Sequence, residues 1–269
     1  MAITLKSDRE LEQLRKAGRL VAKVLSQLKE YAKPGVSTGE LDAIAAEMTR
    51  QAGAAALFKG VPCPYRNKPF PGVICASVNE QLVHGIPSEQ VVLREGDILS
   101  VDFGVKLDGY CGDSAFTVGI GQIAPDRQRL LDVTRRMLEI AVQRIAPGVK
   151  WSAIAGEMEA CCRQAGFAVV QEYVGHGIGT EMHEEPKVPN FVSRDLLKND
   201  IVLKRGMVLA VEPMVNMGTN KVKTLSDGWT VITQDRKCSA HFEHTIAVIE
   251  GGSRVLTGLD DDEHDSNGQ

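Results

Sequence analysis

The sequence predicts an α/β fold in which two similar halves pack around one core. Segments with helical periodicity alternate with short apolar runs typical of strands. The chain also repeats parts of itself: PGV at 34–36 returns at 147–149, and RQAG at 50–53 returns at 163–166. A repeat with such a long period and only two copies argues against a solenoid and favours two halves that face each other.

Helical periodicity is clearest in two pairs of segments. The predicted helices span about 7–34, 37–53, 126–146 and 151–165. Ser7 with Glu10, and Ser37 with Glu40, have the spacing of a capping box, in which a serine and a glutamate satisfy the first free amides of a helix. The sequence therefore predicts that helices begin at Ser7 and Ser37.

Strand-like runs lie between and after the helix pairs. The predicted strands span 73–76, 98–105, 112–119, 168–174, 208–214, 230–233 and 241–249. GDILSVD at 96–102 aligns with GMVLAVE at 206–212, so Asp102 and Glu212 occupy the same place in the two copies. We expect one domain, residues 1–260, whose duplicated halves span about 32–120 and 145–250. Residues 261–269 are acidic without apolar side chains, and we expect a disordered tail.

Composition narrows the function classes. With 269 residues, 43% hydrophobic and 25% charged, the chain can bury a full core. The charged first twenty residues argue against a signal peptide, and no apolar run approaches the roughly 18 residues of a membrane span. A net charge of -4 argues against general attraction to nucleic acid. The six cysteines show no CxxC spacing, so we expect no disulfides and a reducing, cytoplasmic location.

The first pair of acids lies on a predicted hairpin. Asp-Gly at 108–109, between two alternating strands, indicates a two-residue type I′ turn. Pairing Leu107 with Tyr110 brings Asp102 and Asp113 to one strand face, with roughly 7 to 8 Å between their backbones. Two buried carboxylates this close are unfavourable unless a cation neutralises them. The pattern therefore predicts a metal site.

The second half supplies two more acids in apolar strand patterns. Glu212 lies in VLAVEPM and Glu243 lies in HFEHTIAV. Four carboxylates exceed what one divalent ion would usually require. We therefore expect two divalent ions roughly 3.5 to 4 Å apart, an arrangement that suits a hydrolase with an activated bridging water.

The histidines divide into loop and strand groups. Three lie in loops flanked by glycine or proline, namely His84, His176 and His183. A single loop histidine is more often structural, but three of them beside four strand acids indicate a site. His244 should face away from Glu243, and we interpret His241 as a neighbour of the site and not a ligand. GHGIG precedes no helical pattern, and HEEP is not HExxH, so dinucleotide binding and a zincin site are disfavoured.

Five motifs together resemble the type I methionine aminopeptidase family, in order and over nearly the whole chain. They are NEQLVHGIP, VDFGVKLDGYCGDSAFTVG, GHGIGTEMHEEP, VLAVEPMV and FEHTIAV. The resemblance implies the pita-bread (creatinase/aminopeptidase) fold, two pseudo-symmetric halves around a central curved antiparallel sheet with helices outside. The metal ligands that it implies are Asp102, Asp113, His176, Glu212 and Glu243, with Asp113 and Glu243 bridging both ions. The ions would be cobalt, manganese, iron or zinc.

The same resemblance implies a reaction. The enzyme would remove the initiator methionine from nascent proteins whose second residue is small. A bridging hydroxide on the dinuclear centre would attack the first peptide carbonyl, with Glu212 as general base. His183 would contact the carbonyl and the developing oxyanion, and His84 the next peptide nitrogen. The expected partner is the N-terminal peptide of a nascent protein, with a transient ribosome contact and neither a membrane nor a specific nucleic acid.

The methionine pocket follows the family less closely. Phe70, Cys75 and Trp229 are implied as its lining, which is suited to a thioether. The family often has a shorter, aromatic-rich segment where this chain has residues 60–72. The resemblance therefore does not assign the residues of the pocket rim, which include Cys63 and Tyr65. Met182 stands where the family commonly has an aromatic residue.

Two alternatives share this fold. The first is a proline-specific relative, prolidase or aminopeptidase P, which usually carries an added N-terminal domain. The second is a catalytically inactive domain that only binds peptides or proteins. Because such domains typically lose ligands and all five ligand positions are filled here, the sequence favours an active enzyme.

Overall fold

The computed structural model describes residues 3–63 and 68–259. Tyr65 and the predicted tail at 261–269 lie outside these residues. The helices are α1 Asp8–Tyr31, α2 Thr38–Gln51, α3 Pro125–Arg144, α4 Trp151–Gln164 and α5 Arg194–Lys198. Within the described ranges, no helix has the length and apolar character needed to cross a membrane.

The strands are short outside one long hairpin. They are β1 Ala55–Ala56, β2 Cys75–Val78, β3 Gln81–Val83, β4 Ile98–Leu107, β5 Tyr110–Gly119, β6 Ala168–Val169, β7 Gly175–Gly177, β8 Glu184–Val188, β9 Val208–Val211, β10 Met214–Asn216, β11 Val222–Thr224, β12 Val231–Thr233, β13 Ser239–His241, β14 His244–Ile249 and β15 Gly252–Val255. All strand pairs found among the described residues are antiparallel.

The strands form four sheets. One contains β1, β4 and β2 in that order, with β5 paired to β4, and the largest has the order β15-β14-β9-β7-β8. Two three-stranded sheets have the orders β13-β10-β6 and β11-β12-β3. The predicted α/β class with antiparallel strands is confirmed.

The predicted helix starts are also confirmed. The Ser7 hydroxyl accepts a hydrogen bond from the Glu10 amide at 3.4 Å, and the Glu10 carboxylate accepts one from the Ser7 amide at 2.8 Å. Ser37 and Glu40 make the same reciprocal pair at 3.1 and 2.7 Å. Each box satisfies two amides that have no partner within the helix.

The repeated segments have matching backbone geometry. The C-cap residues directly after α2 and α4 have the same backbone angles, φ -77° and ψ -6°, at Ala52 and Ala165. Each is followed by a glycine with positive φ, Gly53 at 66° and Gly166 at 79°. Positive φ favours glycine because it has no Cβ, so the repeated RQAG motif ends both helices in the same way. The boundaries of the two halves stay a prediction.

Each helix pair covers one face of the strands. α1 and α2 pack against alternate residues of β4, namely Leu99, Val101, Phe103 and Val105. α3 and α4 pack in one core with residues of β9 and β14, namely Leu209, Val211, Ile246 and Val248. Burying each such side chain contributes about 1.5 to 3 kcal/mol. The helices therefore cover one face and leave the other to the candidate site.

Three predicted strands were too long. The run 168–174 forms a strand only at Ala168–Val169, and 208–214 and 241–249 are each interrupted. The interruption in 208–214 follows from Pro213, which has no amide hydrogen for a strand ladder. The pattern also missed β1, β3, β7, β8, β11, β15 and α5.

Candidate metal centre

The β4–β5 hairpin carries the first two acids in the predicted register. Gly104 pairs with Asp113, and Asp102 pairs with Ala115. The turn has φ 50° at Asp108 and 87° at the following glycine, the two positive values that a type I′ turn requires. Because side chains alternate along a strand, Asp102 and Asp113 share the face turned away from the helices.

Glu212 lies at a break in the backbone. β9 ends at Val211 and β10 begins at Met214, so Glu212 and Pro213 stand between two sheets. The Glu212 carbonyl accepts a hydrogen bond at 2.9 Å from the side-chain amide of Asn190, which is fully buried. A buried side chain thus holds the backbone of Glu212 where the ladder stops.

Glu243 also lies in a gap, between β13 and β14. Its backbone bonds across to the first half. The Glu243 amide donates to the Ala115 carbonyl at 2.9 Å, and the Ser114 hydroxyl donates to the Glu243 carbonyl at 2.5 Å. Glu243 therefore sits where the segments of the two halves meet.

The four acids and the imidazole of His176 converge on one cavity of about 150 Å³. One ligand atom from each of Asp113, His176 and Glu243 lies within 4.8 Å of the other two. His176 Nε2 is 3.6 Å from Glu212 Oε1, and Asp102 lines the same cavity. The structure therefore brings these five side chains together around one cavity, and their role as metal ligands stays a prediction.

The carboxyl groups are held where their charge is costly. Burial raises the pKa of Asp113 to about 7. Burial, followed by the charge of Asp113, raises the pKa of Asp102 well above its usual value. Burial and the neighbouring acids do the same to the pKa of Glu212 and the pKa of Glu243. A bound cation would reverse this effect because it favours the ionised carboxylates.

The donor atoms fit a metal. Three carboxylate oxygens, Asp102 Oδ1, Asp113 Oδ1 and Glu243 Oε1, are buried with no hydrogen-bond partner in the described residues. Buried polar atoms nearly always have a partner, so three orphaned oxygens around one cavity indicate an external one. Carboxylates with an imidazole suit a divalent cation of the manganese, iron, cobalt or zinc type.

The three loop histidines are neutral at pH 7 because the protein removes water from their rings, although only His176 is buried as a whole residue. Burial, followed by the charge of His183, lowers the pKa of His84 to about 4 and the pKa of His176 to about 4. Burial also lowers the pKa of His183. With Nδ1–H assigned as the donor, His176 bonds the Gly177 carbonyl at 2.9 Å, which leaves Nε2 free to act as a ligand. The rings of His176 and His183 are 4.4 Å apart.

His241 approaches the acids from the second half. Its Nε2 is 3.9 Å from Glu212 Oε2 and 3.9 Å from Glu243 Oε2. Both distances are too long for a direct hydrogen bond. The ring is buried and lines the cavity, as expected for a neighbour of the site.

An apolar cluster lines part of the same cavity. Phe58, Phe70 and Cys75 form its buried core, and Met182 and Trp229 pack against it. The Phe70 and Trp229 rings meet edge to face with centroids 5.2 Å apart. This cluster can hold a flexible apolar side chain close to the acids.

All ten residues predicted for the site line this cavity, and sequence reasoning missed others. The predicted residues are His84, His183, Phe70, Cys75, Trp229, Asp102, Asp113, His176, Glu212 and Glu243. The missed residues are Leu57, Phe58, Val61, Val83, Tyr173 and Met214. Tyr173 and Met214 stand close in sequence to His176 and Glu212, a signal that could have found them. Cys63, on the uncertain rim, lies with its Sγ 3.5 Å from the Gly228 carbonyl.

Comparison with known proteins agrees with this geometry. Residues 12–250 match the model of metallopeptidase family M24. "Methionine aminopeptidase 1" of Bacillus subtilis is 48% identical over 255 residues, which cover 95% of this chain and 99% of that protein.

Solved structures agree at the level of the fold. A crystal structure of methionine aminopeptidase from Thermotoga maritima matches with a TM-score of 0.89 at 37% identity, covering 95% of this chain and 99% of that one. The prolidase of Pyrococcus horikoshii matches with a TM-score of 0.72 at 20% identity, covering 95% of this chain and 64% of that one, and this likeness concerns the fold alone.

Proposed function

The chain belongs to metallopeptidase family M24 and is a peptide hydrolase, and from this we propose that it removes the N-terminal methionine of new proteins whose second residue is small. The observation that carries the proposal is the apolar cluster of Phe70, Cys75 and Trp229 in the same cavity as the buried acids. A methionine side chain placed there brings its own peptide bond to the acids. The relatives named methionine aminopeptidase support this substrate.

We propose that the cofactor is a pair of divalent cations. Asp102, Asp113, His176, Glu212 and Glu243 would hold them. Bound there, the cations would polarise the scissile carbonyl and lower the pKa of water. The four carboxylates that line the cavity support the count of two, because one ion rarely requires so many.

The side chains then divide the remaining work. Glu212 takes a proton from the attacking water and delivers it to the departing amine. His183, whose pKa is lowered by partial loss of water around the ring, donates a hydrogen bond to the substrate carbonyl oxygen as negative charge develops there. His84 contacts the next peptide nitrogen. Its φ of 59° is rare for a residue with a Cβ, and such conformations cluster at functional sites.

We propose a cytoplasmic location, supported by six free cysteines, with the N-terminal peptide of a nascent chain as partner and transient contact with the ribosome. Residues 1–260 would form a single catalytic domain, with halves at about 32–120 and 145–250.

Peptide cleavage read by mass spectrometry tests the proposal. We expect the protein, loaded with Mn²⁺, to release methionine from Met-Ala-Ser. Met-Leu-Ser, with a bulky second residue, should be cleaved far more slowly. A chelator should stop release, and added Mn²⁺ should restore it.

Xaa-Pro peptides provide the specificity control. Faster cleavage of Ala-Pro than of Met-Ala-Ser would contradict the proposal and favour the proline-specific alternative. Undiminished release after metal removal, verified by elemental analysis, would contradict the metal-dependent mechanism.

A further inference from the structure

The two halves meet at the acids along a short antiparallel alignment. Residues 113–117 of β5 run opposite residues 241–245. At the centre, Ala115 and Glu243 form a backbone bridge. Two residues away in each direction, the two segments are linked through a threonine hydroxyl, between Asp113 and Thr245 and between Thr117 and His241. One of these links holds the backbone of Asp113, and the central bridge holds the backbone of Glu243.

Thr245 binds both backbone polar groups of Asp113. Its hydroxyl accepts a hydrogen bond from the Asp113 amide at 3.2 Å and donates one to the Asp113 carbonyl at 2.8 Å. Thr117 does the same for His241, accepting from its amide at 2.9 Å and donating to its carbonyl at 2.8 Å. Each half thus gives one threonine to the backbone of the other half.

Both hydroxyls are fixed in place by their surroundings. Thr245 is completely buried and Thr117 is 2% exposed. The Thr245 amide donates to the Thr257 hydroxyl at 3.2 Å, and the Thr117 hydroxyl lies 2.8 Å from that of Ser100. Because a β-branched side chain has few rotamers, each hydroxyl can hold its position with little further loss of entropy.

A hydroxyl inserted between the two backbones changes the distance between the strand segments. A direct N–H···O bond at each pair would close the strands into an ordinary ladder about 4.8 Å wide. A hydroxyl between the backbones sets a longer link and still fixes the register. Register matters here because a slip of one residue would turn the Glu243 side chain to the opposite face.

We propose that Thr245 and Thr117 are positioning residues of the metal site, which hold Asp113 and Glu243 at the separation that the cations require. This rests on the proposed function, since the carboxylates are the same. Neither threonine touches the substrate or the ions. Thr245 acts through the backbone of Asp113, and Thr117 acts through the backbone of His241, two residues before Glu243, as outer partners of metal ligands commonly do.

Metal affinity of the Thr245→Val variant tests this role. Valine keeps the shape and removes the hydroxyl. We expect titration calorimetry of metal-free protein with Mn²⁺ to show an affinity about 10- to 100-fold below wild type. Thr245→Ser keeps the hydroxyl and should restore affinity to within about 3-fold. With Met-Ala-Ser, kcat should fall while KM stays near the wild-type value.

Thr134→Val is the matched control. Thr134 is also completely buried, and its hydroxyl bonds the Leu130 carbonyl within α3. This variant should lower the melting temperature and leave Mn²⁺ affinity unchanged. The same pattern in Thr245→Val would overturn the proposal, because the hydroxyl would then serve stability alone.

Two further outcomes separate this inference from the proposed function. Wild-type protein that binds no Mn²⁺ and cleaves no Met-Ala-Ser would contradict the proposed function. Wild-type protein that does both, together with a Thr245→Val variant of equal affinity, would contradict only the positioning role. If Thr245→Val does not fold, Thr117→Val gives the decisive titration, with the same loss expected.

Discussion

The two halves hold their acids in different ways. In the first half, Asp102 and Asp113 lie on an uninterrupted hairpin of two ten-residue strands. In the second half, Glu212 and Glu243 lie in gaps between short strands. A continuous ladder sets the direction of its side chains through its own pairing, and Thr245 then bonds the backbone amide and carbonyl of Asp113. At each gap, the backbone and its direction both depend on a partner from elsewhere, such as Asn190 or Ser114.

This contrast shows that the two halves set the direction of their acidic side chains by different means. Alternation along a ladder points Asp102 and Asp113 to the same face without help from other side chains. At a gap, direction depends on hydrogen bonds from residues far away in the sequence. The second half can therefore orient Glu212 independently of any sheet, which suits a residue that must both face the metals and move a proton.

Among the variants considered, Glu212→Gln should lower kcat the most. Glutamine keeps the size of the side chain and the hydrogen bond from Asn190 to the backbone, but its amide cannot take a proton. We expect kcat for Met-Ala-Ser to fall by about 10² to 10⁴, the usual contribution of a general base. Mass spectrometry of the products measures it, with metal content checked by elemental analysis. Unchanged turnover in metal-replete protein would refute the role of Glu212.

Asn190→Leu tests whether the gap depends on its remote partner. Leucine removes the donor to the Glu212 carbonyl and also removes an amide oxygen that has no partner within the described residues. We expect kcat to fall by about 10- to 100-fold, as for other outer partners of metal ligands.

Asn216→Leu is the control for Asn190→Leu. Asn216 is also fully buried, but both ends of its amide are bonded, to Thr219 and Ser239. Its loss should cost about 1 to 3 kcal/mol of unfolding free energy and leave kcat near wild type. Equal kcat values in the two variants would show that Asn190 has no special part in placing Glu212.

The same difference decides how much the sequence could predict. The register of Asp102 and Asp113 followed from the local Asp-Gly turn, and the place of Glu212 followed from its alignment with Asp102. The gap after Val211 was also readable, because Pro213 cannot join a ladder. The roles of Asn190 and Thr245 were not readable, since their partners lie 22 and 132 residues away and no local pattern marks a hydroxyl or amide that will meet a distant backbone.

Gly109→Ala tests the β4–β5 ladder of the first half and should change activity the least. A Cβ at this position would meet no atom within 4 Å, so its whole cost comes from the positive φ of 87°. We expect a loss of about 1 to 2 kcal/mol in urea unfolding. Gly109→Asn should lose less, because asparagine tolerates positive φ better. Since the ten-pair ladder keeps Asp102 and Asp113 in register, kcat should stay near wild type. A fall as large as that of Asn190→Leu would mean that the ladder does not set the direction of Asp102 and Asp113, and the contrast between the two halves would fail.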